Sequence, residues 1–528
     1  MANNRKHYRL SRDKLLFVTI AIYFLIGLIL IPVYQYHINP DGVSYISIAE
    51  KYSRGEWQDA INGYWGPLYI WVMGFFIRLG IDSLIAAKLV LLLFGSATLI
   101  ATRLLSHRFD IKQTIRNVFF VAMIPALLFF SFAFITADLV LLTTLLFYFY
   151  FIFDEHYSQK RYRGALCGVM GGLLYLSKAY GFPFFLVHFI LMNLYYYFKE
   201  PEKRGKVIKH TAAGFLLFFI ISGTWISIIS NKYDKLIIGT AAQFNQTINY
   251  PGFDGFHAHH MGFIEPPNAT AVAIGEDHFY LPHIQWSPFD SPELFKYSVY
   301  KILQRNYGTL KIISGLWAPY YTIFTPVFTI ALVLYVILYL FPLGKIHVYR
   351  LLWIVSPAIF AMGYTPLVIR ERFLWVVFVI GVLVTGHLMT LLFRKSGVSP
   401  VFKYGLLYLV ALSFVFAPSR NLWKDRYKGK ELYEFSQKID ACVELDGDIA
   451  SDTRYQKSFF TAFYLDCRYF GRVKKPYTPQ AVYADLYKYG IDYFFVWLSP
   501  TRFPFLEDFE ELTKGCVSEL RIYKVPEK

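Results

Sequence analysis

Charged residues are scarce in this chain of 528 residues: Asp, Glu, Lys and Arg make up 17% of it, whereas hydrophobic residues make up 55%. A soluble domain carries about 25% charged residues, so the composition excludes an ordinary soluble protein. Acidic residues are the scarcer sign, with 37 Asp and Glu against 53 Lys and Arg. The basic excess lies in short segments between apolar runs, which indicates membrane orientation rather than nucleic-acid binding. We therefore expect membrane lipids, and no nucleic acid, among the partners.

Cysteine is also rare, and the four cysteines are too few for a disulfide framework. Cys167 lies in an apolar run, whereas Cys442, Cys467 and Cys516 lie in the C-terminal region. One disulfide among these three is possible if the region faces an oxidising compartment. The sequence leaves open which two would pair.

Long apolar runs dominate the first four fifths of the chain. They recur between Leu15 and Ala417 and are about 15 to 24 residues long, enough to cross or nearly cross a bilayer. In lipid only helices or closed barrels satisfy every backbone group, and these runs lack the alternation of barrel strands. We predict an α-helical polytopic membrane protein with about eleven transmembrane helices, at 15–33, 83–105, 117–135, 137–153, 164–180, 182–198, 210–230, 320–342, 350–367, 373–393 and 404–417.

Basic residues set the predicted orientation. The N-terminus is predicted to be cytoplasmic because it carries Arg5, Lys6, Arg9, Arg12 and Lys14. Residues 66–80 are apolar but short. If they crossed the membrane, the basic segment 103–116 would lie outside, against the charge rule, so we interpret 66–80 as a re-entrant or surface helix. The C-terminal region is then extracytoplasmic, and the protein is expected in the cytoplasmic (inner) membrane.

Two domains are predicted. The transmembrane domain, residues 1–418, includes an outer loop at 34–65 that should form surface helices, and a long outer loop at 231–318. Residues 419–528 are more polar, and helical patterns alternate there with β-rich runs, which predicts a small α/β domain. The helical patterns are at 430–440, 456–465 and 479–489, and the β-rich runs at 491–497 and 519–525.

Six ionisable residues fall at the predicted outer ends of spans or in outer loops: Asp41, Asp138, Lys178, Arg370, Glu371 and Arg372. An ionisable group at the centre of a membrane helix costs about 2.5–3.5 kcal/mol, so residues of this kind need a partner or a function. Span lengths and basic loops alone place all six at one membrane face. The sequence therefore predicts a polar site at that face.

The two aspartates each admit two interpretations. A Pro and a Gly make a turn around Asp41, and a helical pattern resumes at Val43. Asp41 therefore either caps a surface helix or acts as a general base that takes a proton from an attacking hydroxyl. Asp138, close to Thr136, either caps a helix or is a second acidic group that orients an acceptor or a cation.

The cationic residues also admit a structural or a functional role. Lys178, near the outer end of its span, either extends to the interface or contacts a phosphate. Arg370 and Arg372 open a span, where the helix dipole opposes cations, so a bound anion would relieve a cost. Arginine is suited to bidentate phosphate contacts, which favours the phosphate role for this pair.

Histidines and acidic residues gather in the long outer loop: His257, His259, His260, His278 and His283, with Asp254, Glu265, Glu276 and Asp277. A His-x-His-His cluster could bind zinc, which prefers histidine nitrogen. The loop lacks both a helical His-Glu-x-x-His motif and a cysteine pair. We therefore favour a polar loop with aromatic anchors and predict no metal site.

Four motifs, taken in order, resemble those of a known family. They are Asp41-Gly-Val-Ser-Tyr45 with Gly66-Pro-Leu-Tyr69, then Thr136-Ala-Asp138, then Gly171-Gly-Leu-Leu-Tyr-Leu-Ser-Lys178, and finally Arg370-Glu-Arg-Phe373. Their order and spacing, over most of residues 1–420, resemble the GT-C superfamily of polyprenyl-phosphate-dependent glycosyltransferases. The chain looks most like the branch of protein O-mannosyltransferases and aminoarabinose transferases (family 39/83 type).

The resemblance implies an inverting transfer of a sugar from a polyprenyl-phosphate donor to an acceptor hydroxyl at the outer face. Asp41 would be the catalytic base and Asp138 the second acidic residue. The remaining site residues would be Lys178, Arg370 and Arg372 on the donor phosphate, and Tyr45, Tyr69 and Glu371 on the substrate. Monophosphate donors in this superfamily generally need no metal bridge, so no cofactor is expected. Gly42 departs from the pattern, because many relatives have a second carboxylate beside the first-loop aspartate.

Two other functions remain open from the sequence. A transporter or flippase of lipid-linked glycans would also need basic groups in the membrane, although the inverted repeats typical of transporters are not found in the sequence. A glycan ligase or polymerase would keep the same chemistry with other substrates. The sequence identifies neither the sugar nor the acceptor, which could be a lipid, a protein or a glycan.

Overall fold

The computed structural model describes residues 13–160, 162–253, 262–315, 322–340, 348–366 and 368–527. The His-x-His-His cluster of His257, His259 and His260 and the basic N-terminus before Lys14 lie outside these residues. The described chain forms a helix bundle followed by a small domain with a mixed β-sheet.

The bundle is built from seventeen helices in the described residues. Their bounds are α1 (Lys14–Tyr34), α2 (Pro40–Arg54), α3 (Trp57–Ala60), α4 (Pro67–Arg78), α5 (Ser83–Ser106), α6 (Gln113–Ala122), α7 (Ile124–Ala133), α8 (Asp138–Ile152), α9 (Arg163–Ser177), α10 (Gly181–Lys199), α11 (Arg204–Lys232), α12 (Ala241–Ile248), α13 (Pro292–Ser314), α14 (Pro326–Leu340), α15 (Val348–Met362), α16 (Trp375–Arg394) and α17 (Pro400–Asp425).

Length and composition make seven of these helical segments, within the described residues, long and apolar enough to span a membrane. They are α1, α5, the α6–α7 pair, and the segments that contain α10, α11, α16 and α17. The chain is thus a multi-pass membrane protein, as predicted. The other four predicted spans correspond to α8, α9, α14 and α15. Helices α8 and α9 have 15 residues each, about 22 Å at 1.5 Å per residue against a hydrocarbon core of about 30 Å. Helix α14 ends and α15 begins at the edge of the described residues. The count of eleven crossings therefore stays a prediction.

Helix α4 corresponds to the ambiguous apolar segment 66–80. It has only 12 residues, which is about 18 Å of helix and too short to cross a bilayer. It packs against α2 and α5, and the Tyr69 hydroxyl donates to the Ala87 carbonyl at 3.0 Å. This length supports the interpretation of 66–80 as a helix that does not cross.

A group of charged residues lies at the end of the bundle where helix α8 ends. Asp154 follows this end and contacts three cations: Arg108 at 2.9 Å, Lys160 at 3.0 Å and Arg163 at 2.7 Å. Asp138 starts the same helix, so it lies at the opposite end of the bundle. The buried carboxylate of Asp154 thus pairs with basic residues from segments that the sequence assigns to the inner face. This end of the bundle is opposite to the end that carries Asp138.

The C-terminal domain has the α/β character predicted from its sequence. Three helices, α18 (Lys430–Cys442), α19 (Tyr455–Tyr464) and α20 (Pro479–Lys488), pack with strands β1 (Asp448–Ser451), β2 (Arg468–Arg472), β3 (Tyr493–Val496), β4 (Glu510–Glu511) and β5 (Arg521–Lys524). The strand order is β2-β1-β3-β5-β4, with β1 parallel to β2 and β3, and β5 antiparallel to β3 and β4. The predicted β-rich runs 491–497 and 519–525 contain β3 and β5, whereas β1, β2 and β4 were not predicted from the sequence.

Two details refine the sequence interpretation. Helix α17 continues through Pro418 to Asp425, so the predicted boundary at residue 418 falls inside a helix. Cys442, at the end of α18, forms a disulfide with Cys516, and Cys467 is a buried free thiol. The structure thus selects one pairing from the three cysteines among which the sequence could not choose.

Candidate active site

Asp41 lies in the first turn of α2 but does not cap it. The helix starts at Pro40, whose fixed φ suits a first helical position, and Asn39 is the N-cap residue. The interpretation of Asp41 as the cap of a helix that starts near Val43 is therefore wrong. Its carboxylate, about one third exposed at 33%, instead accepts a hydrogen bond from an Arg372 Nη at 2.6 Å.

Asp138 is the first residue of α8, and its carboxylate is the most buried group of the site, at 1% exposure. It accepts a hydrogen bond from the Thr136 hydroxyl at 2.7 Å and pairs with the Lys178 ammonium at 2.5 Å. The Arg372 Nε lies 3.0 Å from its second oxygen. A buried carboxylate is costly unless it is paired, and these three partners offset that cost. Asp138 thus links cations from two distant segments.

Lys178 directly follows α9 in extended backbone and turns inward rather than towards the interface. Its ammonium lies 4.3 Å from the centre of the Phe373 ring, a cation–π distance. Because its side chain is 20% exposed, it is neither sealed in the bundle nor free in water. This placement disfavours simple extension to the interface and keeps the side chain partly exposed beside Asp138.

Arg372 connects the two aspartates. It lies in the short 3₁₀ turn Glu371–Leu374 that precedes α16, and its guanidinium also faces the rings of Phe134 and Phe373 at 5.3 and 5.6 Å. The four charged groups, Asp41, Asp138, Lys178 and Arg372, form a contiguous cluster with two positive and two negative charges. We call the end of the bundle that carries this cluster the site face.

The neighbours of Arg372 do not join the cluster. The Arg370 side chain is exposed and forms no ion pair or hydrogen bond with a residue that the structure describes. Glu371 Oε1 accepts a hydrogen bond from the Ile323 backbone N–H at 2.9 Å, just before α14. Of the three residues that the sequence assigned to the site, only Arg372 therefore contacts the cluster, whereas Glu371 binds the backbone of Ile323.

The two predicted substrate tyrosines lie behind the cluster. Tyr45 is 2% exposed and packs its ring on Trp65 and Tyr69, with centroids 4.9 and 5.3 Å away. Burial raises the pKa of Tyr45 well above its usual range, and the nearby carboxylates of Asp138 and Asp41 add to the shift. Tyr69 is fully buried, and its hydroxyl donates a hydrogen bond to the Ala87 carbonyl. Tyr45 therefore borders the cluster, whereas Tyr69 supports it from the core.

Gly42 explains why no second carboxylate follows Asp41. A Cβ at this position would lie 2.9 Å from the Ile135 Cβ, closer than real side chains approach. The first turn of α2 is thus pressed against the segment that leads into α8. The same contact brings Asp41 close to Asp138, which supplies the second acidic group from another helix.

Several residues of the site were missed in the sequence. Tyr64 stacks on His278 with ring centroids 3.7 Å apart. Burial raises the pKa of Tyr64 above its usual range, and the nearby Asp41 carboxylate adds to the shift. The adjacent Glu276 forms a buried ion pair with Lys51 of α2. The only sequence signal was the consecutive run Glu276-Asp277-His278 in the long loop, which resembles an ordinary polar surface.

The long loop also holds the histidines and acidic residues that could bind a metal. Within the described parts of the chain, no group of three or more His, Cys, Asp or Glu side chains is arranged to hold a metal ion. Of the histidines named from the sequence, only His278 and His283 belong to these parts. His278 is engaged by Tyr64 through its ring.

Comparisons by sequence gave no relatives: a scan against protein-family models found no match, and neither did a search of curated proteins. Comparison with solved structures did. Crystal structures of ArnT from Cupriavidus metallidurans match at TM-scores of 0.58 with undecaprenyl phosphate bound and 0.55 in the apo state. The bound form is 13% identical, over 97% of this chain and 99% of ArnT.

A second solved structure has the same architecture. The Archaeoglobus fulgidus oligosaccharyltransferase in its apo form matches at a TM-score of 0.55 and 10% identity, over 92% of this chain and 70% of that one. These likenesses confirm the predicted GT-C fold over nearly the whole chain. At this level of identity they show the fold alone.

Proposed function

We propose, from the GT-C fold and the charge cluster at its site face, that this protein is a membrane glycosyltransferase with a polyprenyl-phosphate-linked sugar as donor. The ArnT structure with undecaprenyl phosphate supports a donor of this class. The observation that carries the proposal is the bridge of Arg372 between Asp41 and Asp138, with Lys178 on the same carboxylate. The bridge supports the proposal because it brings the carboxylate proposed as the base close to two cations of the kind that bind phosphate.

In the proposed reaction Asp41 takes the proton of an acceptor hydroxyl as that oxygen attacks the anomeric carbon. The new glycosidic bond forms opposite the phosphate, so the bond between carbon and phosphate oxygen breaks with inversion. The departing polyprenyl phosphate keeps the electron pair and gains a negative charge. Lys178 and Arg372 stabilise that charge, and Tyr45 borders the sugar.

The charge balance of the cluster suits this sequence of events. Arg372 is bound to Asp41 before reaction. Once Asp41 is protonated it no longer holds the guanidinium, which becomes available as the leaving phosphate gains charge. Asp138 remains as the buried anchor that keeps Arg372 and Lys178 in place. Arg370 would then act from outside the cluster, as an exposed cation near the donor headgroup.

The orientation is part of the proposal. With the N-terminus cytoplasmic, the site face and the C-terminal domain are extracytoplasmic, on the outer side of the inner membrane. The disulfide between Cys442 and Cys516 supports this orientation, because disulfides persist in oxidising compartments. The acceptor is a hydroxyl on a lipid, a protein or a glycan.

The substitution Asp41→Asn tests the base. It should lower sugar transfer by roughly 10²–10⁴-fold, the usual loss for a general base, while the protein still inserts. Mass spectrometry of envelope lipids and glycans from cells with wild type or variant measures the product. Asp59→Asn is the matched control, because Asp59 is an exposed acid in the same outer loop. Wild-type product levels in the Asp41→Asn variant would remove the proposed base.

A liposome assay separates this function from lipid transport. The purified protein is reconstituted with radiolabelled lipid-linked sugar extracted from the host membrane. A transferase moves the label covalently to an acceptor, whereas a flippase moves the intact lipid across the bilayer. Movement without covalent transfer would contradict the proposal.

A further inference from the structure

Residues 272–278 of the long loop lie between the C-terminal domain and the helix that carries Asp41. We call them the connector. On one side, Tyr469 of β2 donates its backbone N–H to the Val272 carbonyl at 2.6 Å, and Ala273 forms a β-bridge with the same tyrosine. On the other side, Gly275 and Glu276 contact α2. The connector therefore extends the sheet edge to the membrane domain.

The contact with α2 involves one face of that helix. Lys51, with no exposed surface, forms an ion pair with Glu276, which is 3% exposed. The Ser47 hydroxyl donates to the other Glu276 oxygen at 2.7 Å, and the Ser44 hydroxyl donates to the Gly275 carbonyl at 3.2 Å. Ser44, Ser47 and Lys51 are three and four residues apart, which places them on one helix face. Asp41 lies three residues before Ser44.

The next connector residue points to a different helix. Asp277 accepts a hydrogen bond from the Tyr233 hydroxyl at 2.7 Å and lies 3.8 Å from the Lys232 ammonium, both at the end of α11. Helix α11 packs closely along α9, which ends just before Lys178. Two consecutive carboxylates thus connect the helix of the proposed base to the helix pair of the proposed phosphate cation.

We propose that Glu276 and Asp277 are positioning residues that set the separation between Asp41 and the cations Lys178 and Arg372. Through the pairing of Ala273 with Tyr469, they make the C-terminal domain part of the catalytic unit. The inference rests on the proposed function for its assignment of the base and the cations. A base displaced by about 1 Å can cost on the order of 10²-fold in rate, whereas the phosphate contacts on Lys178 and Arg372 are made from other elements.

The test is Glu276→Gln in the full-length protein reconstituted in nanodiscs. Turnover is followed as polyprenyl phosphate released from the host's own lipid-linked sugars, with an extract of the host envelope as the source of acceptor hydroxyls, and binding is measured with undecaprenyl phosphate. We expect kcat to fall roughly 10- to 100-fold with the Kd for undecaprenyl phosphate unchanged, and Glu276→Asp to restore part of the rate. Glu519→Gln is the control, because this exposed carboxylate pairs with Lys457 on the surface of the C-terminal domain.

Ser47→Ala is a milder second variant for the case that Glu276→Gln does not fold, because it removes one hydrogen bond to Glu276 and no charge. It should lower kcat by roughly 3- to 10-fold, in line with the loss of one hydrogen bond, again without a change in Kd. A folded variant with wild-type kcat, or a rate loss matched by the loss of folded protein, overturns the proposal. If Asp41→Asn is inactive while Glu276→Gln and Ser47→Ala are fully active, only the positioning role fails. Activity in Asp41→Asn would instead reject the proposed base.

Discussion

Arg372 and Arg370 are two positions apart, yet their surroundings differ completely. Arg372 is 17% exposed and bridges two carboxylates, whereas the Arg370 side chain is in solvent. A guanidinium that is oriented by fixed partners loses less entropy when it binds an anion than one that is free. We therefore expect binding of an anionic donor to depend on Arg372 far more than on Arg370.

Arg372 and Arg370 provide a prediction about donor binding. Arg372→Gln should weaken binding of undecaprenyl phosphate by roughly 10- to 100-fold, the value of one or two charge-assisted hydrogen bonds. Arg370→Gln should change the Kd by less than about threefold, as expected for an exposed charge. Titration calorimetry in nanodiscs measures both constants. Equal weakening by the two variants would return Arg370 to the phosphate site.

A thermal unfolding scan of each variant is the control for that comparison. Removal of Arg372 leaves Asp41 and part of the Asp138 charge without a partner, so some loss of stability is expected. The Kd comparison is valid for protein that is still folded at the temperature of the titration.

At the level of helices, the close approach of α9 and α11 depends on residues without side chains. A Cβ at Gly168 would lie 2.0 Å from the Gly214 carbonyl oxygen, and one at Gly164 would meet the His210 backbone. Small residues four apart allow membrane helices to approach at their backbones, where packing rather than the hydrophobic effect holds them together. This contact holds α9, the helix that leads to Lys178, against α11.

Gly168→Ala should destabilise the helix pair, because even one methyl group collides with backbone that cannot move aside. The expected loss is about 1–3 kcal/mol of unfolding free energy, as for other overpacked positions. Gly223→Ala is the matched control on α11, since a Cβ there meets open space. Unfolding in detergent, followed by circular dichroism, compares the two. Equal stability of both variants would show that α9 and α11 are not in contact at Gly168.

At the level of the whole molecule, the disulfide bears on the proposed extracytoplasmic location of the C-terminal domain. It closes a loop of 74 residues between Cys442 and Cys516, around most of the sheet. Such a bond stabilises a domain mainly by restricting its unfolded state, typically by about 2–4 kcal/mol. It persists only where the surroundings are oxidising.

Thiol counting tests this placement. Protein extracted from cells and denatured with a mass-tagged maleimide should take up two tags before reduction and four after it, because Cys167 and Cys467 are free. Reduction should also lower the unfolding temperature of the C-terminal domain. Four tags without reduction would place the domain in a reducing compartment and contradict the extracytoplasmic site face.

Local properties of the chain were sufficient for most of the architecture. Apolar runs predicted the membrane helices, and the alternation of helical and β-rich segments after residue 419 predicted the C-terminal α/β domain. Asp41, Asp138, Lys178 and Arg372 were also identified from charge at the ends of spans. These features can be read from sequence because hydropathy and charge act within one helix length.

Tertiary structure decided which of those residues act together. Asp41 and Arg372 are 331 positions apart, and no local pattern states that they touch. The sequence could not separate Arg372 from Arg370 and Glu371, since the direction of each side chain depends on the turn before α16. The sequence could not show the connector either, because the ion pair of Glu276 with Lys51 joins a loop to a helix that is far away in the sequence. Composition and hydropathy determined a membrane bundle with charges at one end; only packing of distant helices determined which charges meet.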